Sequence, residues 1–218
     1  MRVPLPFPTG RSAQFSATLR RVRKRGTVLA LAAVAFVLCV PAGSQPTAGL
    51  WLDATHLESW NRPGMPIPSA PQGQKNPDPR CRELMREPAS EVEQQVRAHG
   101  WDLVGPTSEG EQTRVIVGTS DYDGMCRPRQ YQEFVFARGV FAGTLSPRPM
   151  DSRTDGALNR VTILTDGRVQ AEYSRYGATD PLCCPSRTTT VVFEIEKDPP
   201  VLEPVAASTV STRTTTGK

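Results

Sequence analysis

Between residues 90 and 196 the chain carries two hydrophobic rhythms, and the change from one to the other falls at Gly100. Before it, Val92 and Val96 are four apart, the spacing that sets two side chains on one face of a helix. Ser90 and Glu93 stand at the capping-box spacing, in which each side chain satisfies a backbone N–H that the first turn leaves orphaned. Gly100 supplies a left-handed stop. The pattern predicts a helix over 91–99. After Gly100 the period is two, and segments 101–104, 114–117, 130–137, 140–145, 160–164 and 168–176 read as strands. Phe134 and Phe136 share one face of their strand, and Arg138-Gly139 turns the chain into the next. Thr165-Asp166-Gly167 is a hairpin signal. Val169, Ala171 and Tyr173 alternate with Gln170, Glu172 and Ser174, and Val191, Phe193 and Ile195 alternate with Val192, Glu194 and Glu196. Such alternation marks a sheet with one wet face. The expected fold is α+β: one N-terminal helix, then an antiparallel sheet of five to seven strands.

The flanks are patterned differently. Residues 27–40 are uncharged and largely apolar, follow the basic cluster Arg20 to Arg25, and lead into Pro41 and small residues. That is the layout of a secretory signal, with cleavage expected near Ala42 or Ser44. A retained N-terminal anchor is the alternative, although a spanning helix needs about 20 apolar residues. Arg20-Arg21 is a weak twin-arginine signal, and bulky Leu38 before Cys39 does not fit a lipid-modified cysteine. Residues 43–80 form a Pro-rich arm in which six prolines follow Asn61 and favour an extended path. The arm is either a spacer or, through Trp51 and Trp60, a staple onto the domain surface that Cys81 secures. Residues 197–218 hold Pro199, Pro200 and Pro204 and then a Ser/Thr-rich end, which reads as a disordered tail. The domain itself is expected over 81–196.

Charge narrows the partners. The formal net charge is +4, but all seven basic side chains before residue 43 belong to the export segment. The rest of the chain has 19 basic and 22 acidic groups, no footprint for nucleic acid. Contact with a membrane is expected only through the N-terminal segment, if it is not cleaved.

Export implies an oxidising compartment, where Cys81, Cys126, Cys183 and Cys184 are expected to form two disulfides. Adjacent side chains on an extended segment point to opposite faces, so one of Cys183 and Cys184 can reach Cys81 and the other Cys126. A bond between Cys183 and Cys184 themselves closes a strained eight-membered ring, and the two long-range pairings are expected instead. A redox dithiol is the functional alternative, against which stand the absence of C-x-x-C and of a nearby histidine.

Chemistry-bearing residues are sparse. Asp121 and Asp123 in 120–128 resemble part of a calcium loop without its later ligands or closing Glu, and an ordinary Asp/Gly turn held by Cys126 is the reading preferred. The long 146–156 connection gathers Arg148, Asp151, Arg153 and Asp155, which can bind an anion through an arginine or pair with one another. His56 lies in the arm, and His99 suits the last turn of a helix. No nucleophile elbow, phosphate loop, dinucleotide fingerprint or zinc spacing is present, so no catalytic residue, metal or cofactor is assigned.

Two segments, FVFARGVFAGT (134–144) and TDPLCCPSRTTTVVFEI (179–195), together resemble the LppP/LprE-type lipoproteins of bacterial cell envelopes. The residues that carry the resemblance are Gly139, Gly143, Thr144, Asp180, Pro181, Cys183, Cys184, Pro185 and Ser186. It implies an envelope domain over about 88–196 and brings no activity with it. The expected function is therefore an exported, disulfide-stabilised, non-catalytic envelope or extracellular module. Its partner would be an envelope component or a small ligand, met on the wet sheet face and the 146–156 loop. An extracytoplasmic hydrolase using Asp151, Asp155 or the Asp121/Asp123 loop is the alternative from another class, and a thiol-redox protein the third.

Overall fold

The computed structural model describes residues 50–72 and 78–212. The export segment, Cys39 and the last residues of the expected tail lie outside that range. Among the described residues no helix is long and apolar enough to cross a membrane.

Among the described residues, twelve strands make three antiparallel sheets. The first has the order β1 (Met85–Arg86), β2 (Asp102–Val104), β4 (Thr113–Thr119), β7 (Gln132–Ala137), β8 (Val140–Thr144), with β3 (Ser108–Glu109) also paired to β4. The second runs β12 (Pro200–Ser211), β11 (Arg187–Lys197), β10 (Val169–Arg175), β9 (Ala157–Ile163). A ribbon of β5 (Asp121–Tyr122) and β6 (Pro128–Arg129) stands apart. Helices are the four-residue α1 (Pro79–Arg82) and α2 (Glu91–Ala98), with a 3-10 turn at Leu50–Asp53. The fold is thus mostly β, and the single sheet expected from the sequence is corrected to two stacked sheets and a ribbon.

The expected helix is present, and Gly100 ends it at a φ of 90°. The capping box itself does not form, and Glu93 instead holds the residue before the cap. Ser90 makes no side-chain cap, whereas Glu93 accepts from the Ala89 N–H at 2.6 Å. Glu93 also accepts from Thr107 and pairs with Arg86 at 2.8 Å. Burial alone would raise its pKa, and these donors outweigh it, holding the carboxyl down at about 2.

Side-chain alternation makes β7 the centre of the molecule. Phe134 and Phe136 pack with Val92, Val96, Trp101, Ile116 and Phe141 on the helix side. Tyr131 and Val135 pack with Val115, Leu145 and Met150 and, across the gap, with Val169, Ala171, Tyr173, Val191 and Phe193 of the second sheet. The layers are helix and arm, first sheet, second sheet. Every residue of β7 is buried, because both of its faces are covered. The wet face predicted from Gln170, Glu172, Ser174, Glu194 and Glu196 is the outer face of the second sheet, where the first four are partly covered and Glu196 is exposed.

One expectation about the flanks is corrected, and a choice between two is decided. First, β12 replaces most of the disordered tail, pairing with β11 from Lys197↔Pro200 to Arg187↔Ser211. Val201 and Leu202 are buried, and β12 lies beside β8 over this inner part. Pro204 fits because β12 is an edge strand and the register shifts there, between Val192 and Phe193 on its partner. Second, the arm packs as a staple and not as a spacer. Trp51 stands edge-on to Tyr173 at 5.2 Å and to Trp60 at 4.9 Å, and Trp60 edge-on to Phe193 at 6.0 Å. Farther along, Ile67 and Ala70 enter the helix-side core, and the Trp101 indole donates to Pro68 O at 2.7 Å.

Candidate functional site

A cleft of about 920 Å³ opens at one end of the two stacked sheets. One bank is the 110–113 turn together with Ala137 and Arg138, the turn out of β7, tied by the Arg138 N–H to Gln112 O at 2.8 Å. The other bank is the β9–β10 hairpin, 163–168, with 194–196 of β11. The hairpin is closed by Leu164 N–H to Arg168 O at 2.8 Å and by Gly167 at a φ of 85°. Gly110 brings the banks together: a Cβ there would stand 2.8 Å from Ile163 Cγ2.

Apolar surface in the cleft comes from Ala137, Ile163, Leu164 and Ile195, and charge from Glu111, Arg138, Asp166, Arg168, Glu194 and Glu196. Arg168 is committed to Asp166 at 2.7 Å, which lowers the Asp166 pKa. Beside that pair stand three glutamates and Arg138. Among the described residues no His, Cys or Ser lines the cleft. An apolar floor with a polar, acid-rich rim suits binding of a polar or cationic molecule that carries an apolar patch. Sequence reasoning treated Arg138 and Asp166 only as turn residues and missed the cleft, because only the stacking of the sheets brings their hairpins together.

The site residues expected from the sequence lie at the other end of the strands. There the 146–156 loop and the β5–β6 ribbon meet, through Ser152 Oγ to Pro128 O at 2.8 Å and the Tyr131–Met150 bridge. Asp123 organises its turn, accepting from the N–H groups of Met125 and Arg127 at 2.8 and 2.9 Å and from the Arg127 guanidinium at 2.5 Å. Asp121 lies on β5, paired with Arg129 of β6. Asp151 accepts from Gln130 N–H at 2.8 Å and stands 3.8 Å from Arg129. Asp155 binds the Tyr176 N–H and Arg175, both through Oδ1, at 2.8 and 2.9 Å. Arg148 and Arg153 are exposed.

Arg175 is 2% exposed and also reaches Asp53 of the arm at 2.6 Å. Burial alone would lower its pKa, and the two carboxylates more than offset this and raise it. The cluster joins arm, loop and β10, so its role is to hold them. Arg175→Met is expected to cost about 1–3 kcal/mol by urea unfolding, less than a fully buried pair, because Asp53 can rehydrate. An unchanged midpoint would refute this.

The motif residues shared by the two resembling segments have local structural reasons. Gly139 takes the turn at a φ of 80°. Gly143, at a φ of 145°, faces Asn61 of the arm, and a Cβ there would overlap the Asn61 carboxamide. That carboxamide is 4% exposed and spans two strands. Its Nδ2 donates to Thr144 O at 3.1 Å and Leu202 O at 2.9 Å, and its Oδ1 accepts from Thr144 N–H at 2.9 Å. Trp60 adds an indole N–H to Thr144 O at 3.0 Å. Gly143-Thr144 is therefore the socket for the arm. Asp180 is the hub of the second motif, its carboxylate accepting from Gly177 N–H at 2.7 Å and Ser186 N–H at 3.0 Å.

The disulfides are Cys81–Cys126 and Cys183–Cys184. The expected bridges from 183 and 184 to Cys81 and Cys126 are thereby corrected. Cys81, at the start of the domain, and Cys126, in the ribbon turn, meet beside Tyr122 and Val104. The other two cysteines lie exposed in the β10–β11 loop.

Residues 107–198 match the model of the LppP/LprE lipoprotein family. The match runs from just before β3 to just past β11 and leaves out the arm, α2 and β12. No curated protein and no solved structure matches the chain.

Proposed function

From the match of residues 107–198 to the LppP/LprE lipoprotein family, we infer that the chain is an exported, envelope-associated module that binds a ligand and does no chemistry on it. The family description supports the address, as do the basic cluster and apolar run ahead of residue 42. The observation that carries the binding role is the cleft between the sheet ends, with its apolar floor and its rim of Glu111, Arg138, Glu194 and Glu196. Against a hydrolase stands the commitment of Asp123, Asp151 and Asp155 to separate structural partners. The ligand is small and polar or cationic, in keeping with the excess of glutamates.

Titration of the isotopically labelled protein with short basic peptides and with cell-wall oligosaccharides, followed by amide chemical shifts, tests this. Shifts confined to 110–113, 137–138, 163–168 and 194–196, and lost in Glu194→Lys/Glu196→Lys, are expected. Shifts that fall instead on Gln170, Glu172 and Ser174 of the outer sheet face and on 146–156 would overturn the cleft and reinstate the surface expected from the sequence.

A further inference from the structure

We propose that the Cys183–Cys184 disulfide is a thiol-exchange site on the surface of the domain, a redox modification site and not a staple of the fold. A disulfide stabilises chiefly by shortening the loops open to the unfolded chain. Cys81–Cys126 does so across a separation of 45 residues, whereas Cys183–Cys184 joins neighbours and closes no loop of chain. The loop that carries it has other supports. Asp180 draws in the Gly177 and Ser186 N–H groups, the Tyr176 hydroxyl donates to Leu182 O at 3.1 Å, and Cys184 N–H donates to Pro181 O at 2.9 Å. The strands on either side are paired up to Arg175↔Arg187. The bond therefore adds little to stability.

Its placement favours chemistry. Exchange proceeds by attack of a thiolate on a disulfide sulfur and depends on access. Pro181, Leu182, Cys183 and Cys184 are all exposed, with Leu182 at 65%, whereas Cys81 is wholly buried. One thiolate of an external dithiol attacks either sulfur, forming a mixed disulfide and releasing the other cysteine as a thiolate, which takes a proton. The second thiol of the reductant then loses its proton, and the thiolate displaces the protein sulfur, which is protonated in turn. The protein gains two electrons and two protons, and the dithiol leaves as its disulfide. The exposed Leu182 beside the sulfurs offers an apolar contact for such a dithiol partner.

The full chain is titrated with dithiothreitol, quenched with N-ethylmaleimide and mapped by peptide mass spectrometry, with thermal melts in parallel. Labelling at 183 and 184 is expected about ten-fold faster than at 81 and 126. The melting temperature should hold while only the first pair is open, and Cys183→Ser/Cys184→Ser should melt as the parent does. Cys81→Ser/Cys126→Ser should melt lower. Simultaneous opening of both pairs, a lowered melt for Cys183→Ser/Cys184→Ser, or linkage of 183 or 184 to another cysteine would overturn the proposal.

Discussion

The stability of this protein is expected to fall by about 4 kcal/mol between pH 5 and pH 8, with one buried carboxyl, Glu133, accounting for the slope. Glu133 sits on β7 in register with Val117, on the same face as Tyr131 and Val135, and so points between the two sheets. It is 2% exposed, and its Oε2 has no hydrogen-bond partner. Burial pushes its pKa up to about 8 from an ordinary 4.5. The hydroxyls that share this layer are committed elsewhere, Tyr131 to Leu158 O and Tyr173 to Leu145 O. The folded state thus holds a proton that the unfolded chain releases above about pH 4.5. Its favourable contribution is complete below that pH and is lost as the pH rises through 8. Glu133→Met removes the titration, so urea midpoints for the variant should be level from pH 5 to 8 and exceed those of the parent at the upper end. A level profile in the parent, or an equal slope in the variant, would remove Glu133 as the cause.

Asn61→Ala and Gly143→Ala are each expected to cost about 3 kcal/mol, and together clearly less than their sum. Removing the Asn61 carboxamide strands the buried Thr144 N–H and Leu202 O. Adding a methyl at 143 drives into the same carboxamide from a φ of 145° that disfavours any side chain. In the double variant the methyl occupies space that the carboxamide has vacated. Denaturant melts of the four proteins close the cycle. Strict additivity would mean that residue 143 needs glycine for its backbone alone and that the arm is not seated there.

These two sites show what was legible in the sequence and what was not. Val92 and Val96, the Arg138-Gly139 turn and the Thr165-Asp166-Gly167 turn each encode structure within a few residues, and all lie where local pattern places them. Glu133 went unnoticed because a polar residue beside Phe134 looks solvent-facing until a second sheet covers its side. In β12 the alternation is interrupted by Pro204, which a free edge tolerates and an interior strand would not, so Val201 and Leu202 were read as part of a tail. Asn61 has no local signature, since its partners lie 83 and 141 residues away. The cysteine pairing was misjudged for a related reason: with four cysteines, spacing permits three pairings and does not choose among them.

The arm also sets an order of events. Its anchors reach far along the chain: Asp53 to Arg175 across 122 positions and Asn61 to Leu202 across 141. During synthesis the arm emerges before the strands it seats on, and its seat is complete only when β12, at the other end of the domain, has joined the sheet. Contacts of such separation carry a large loop-closure cost and slow folding. The tryptophans of the arm therefore wait in solvent through most of the domain's emergence, and the last of the described strands completes the seat of the segment made before all of them.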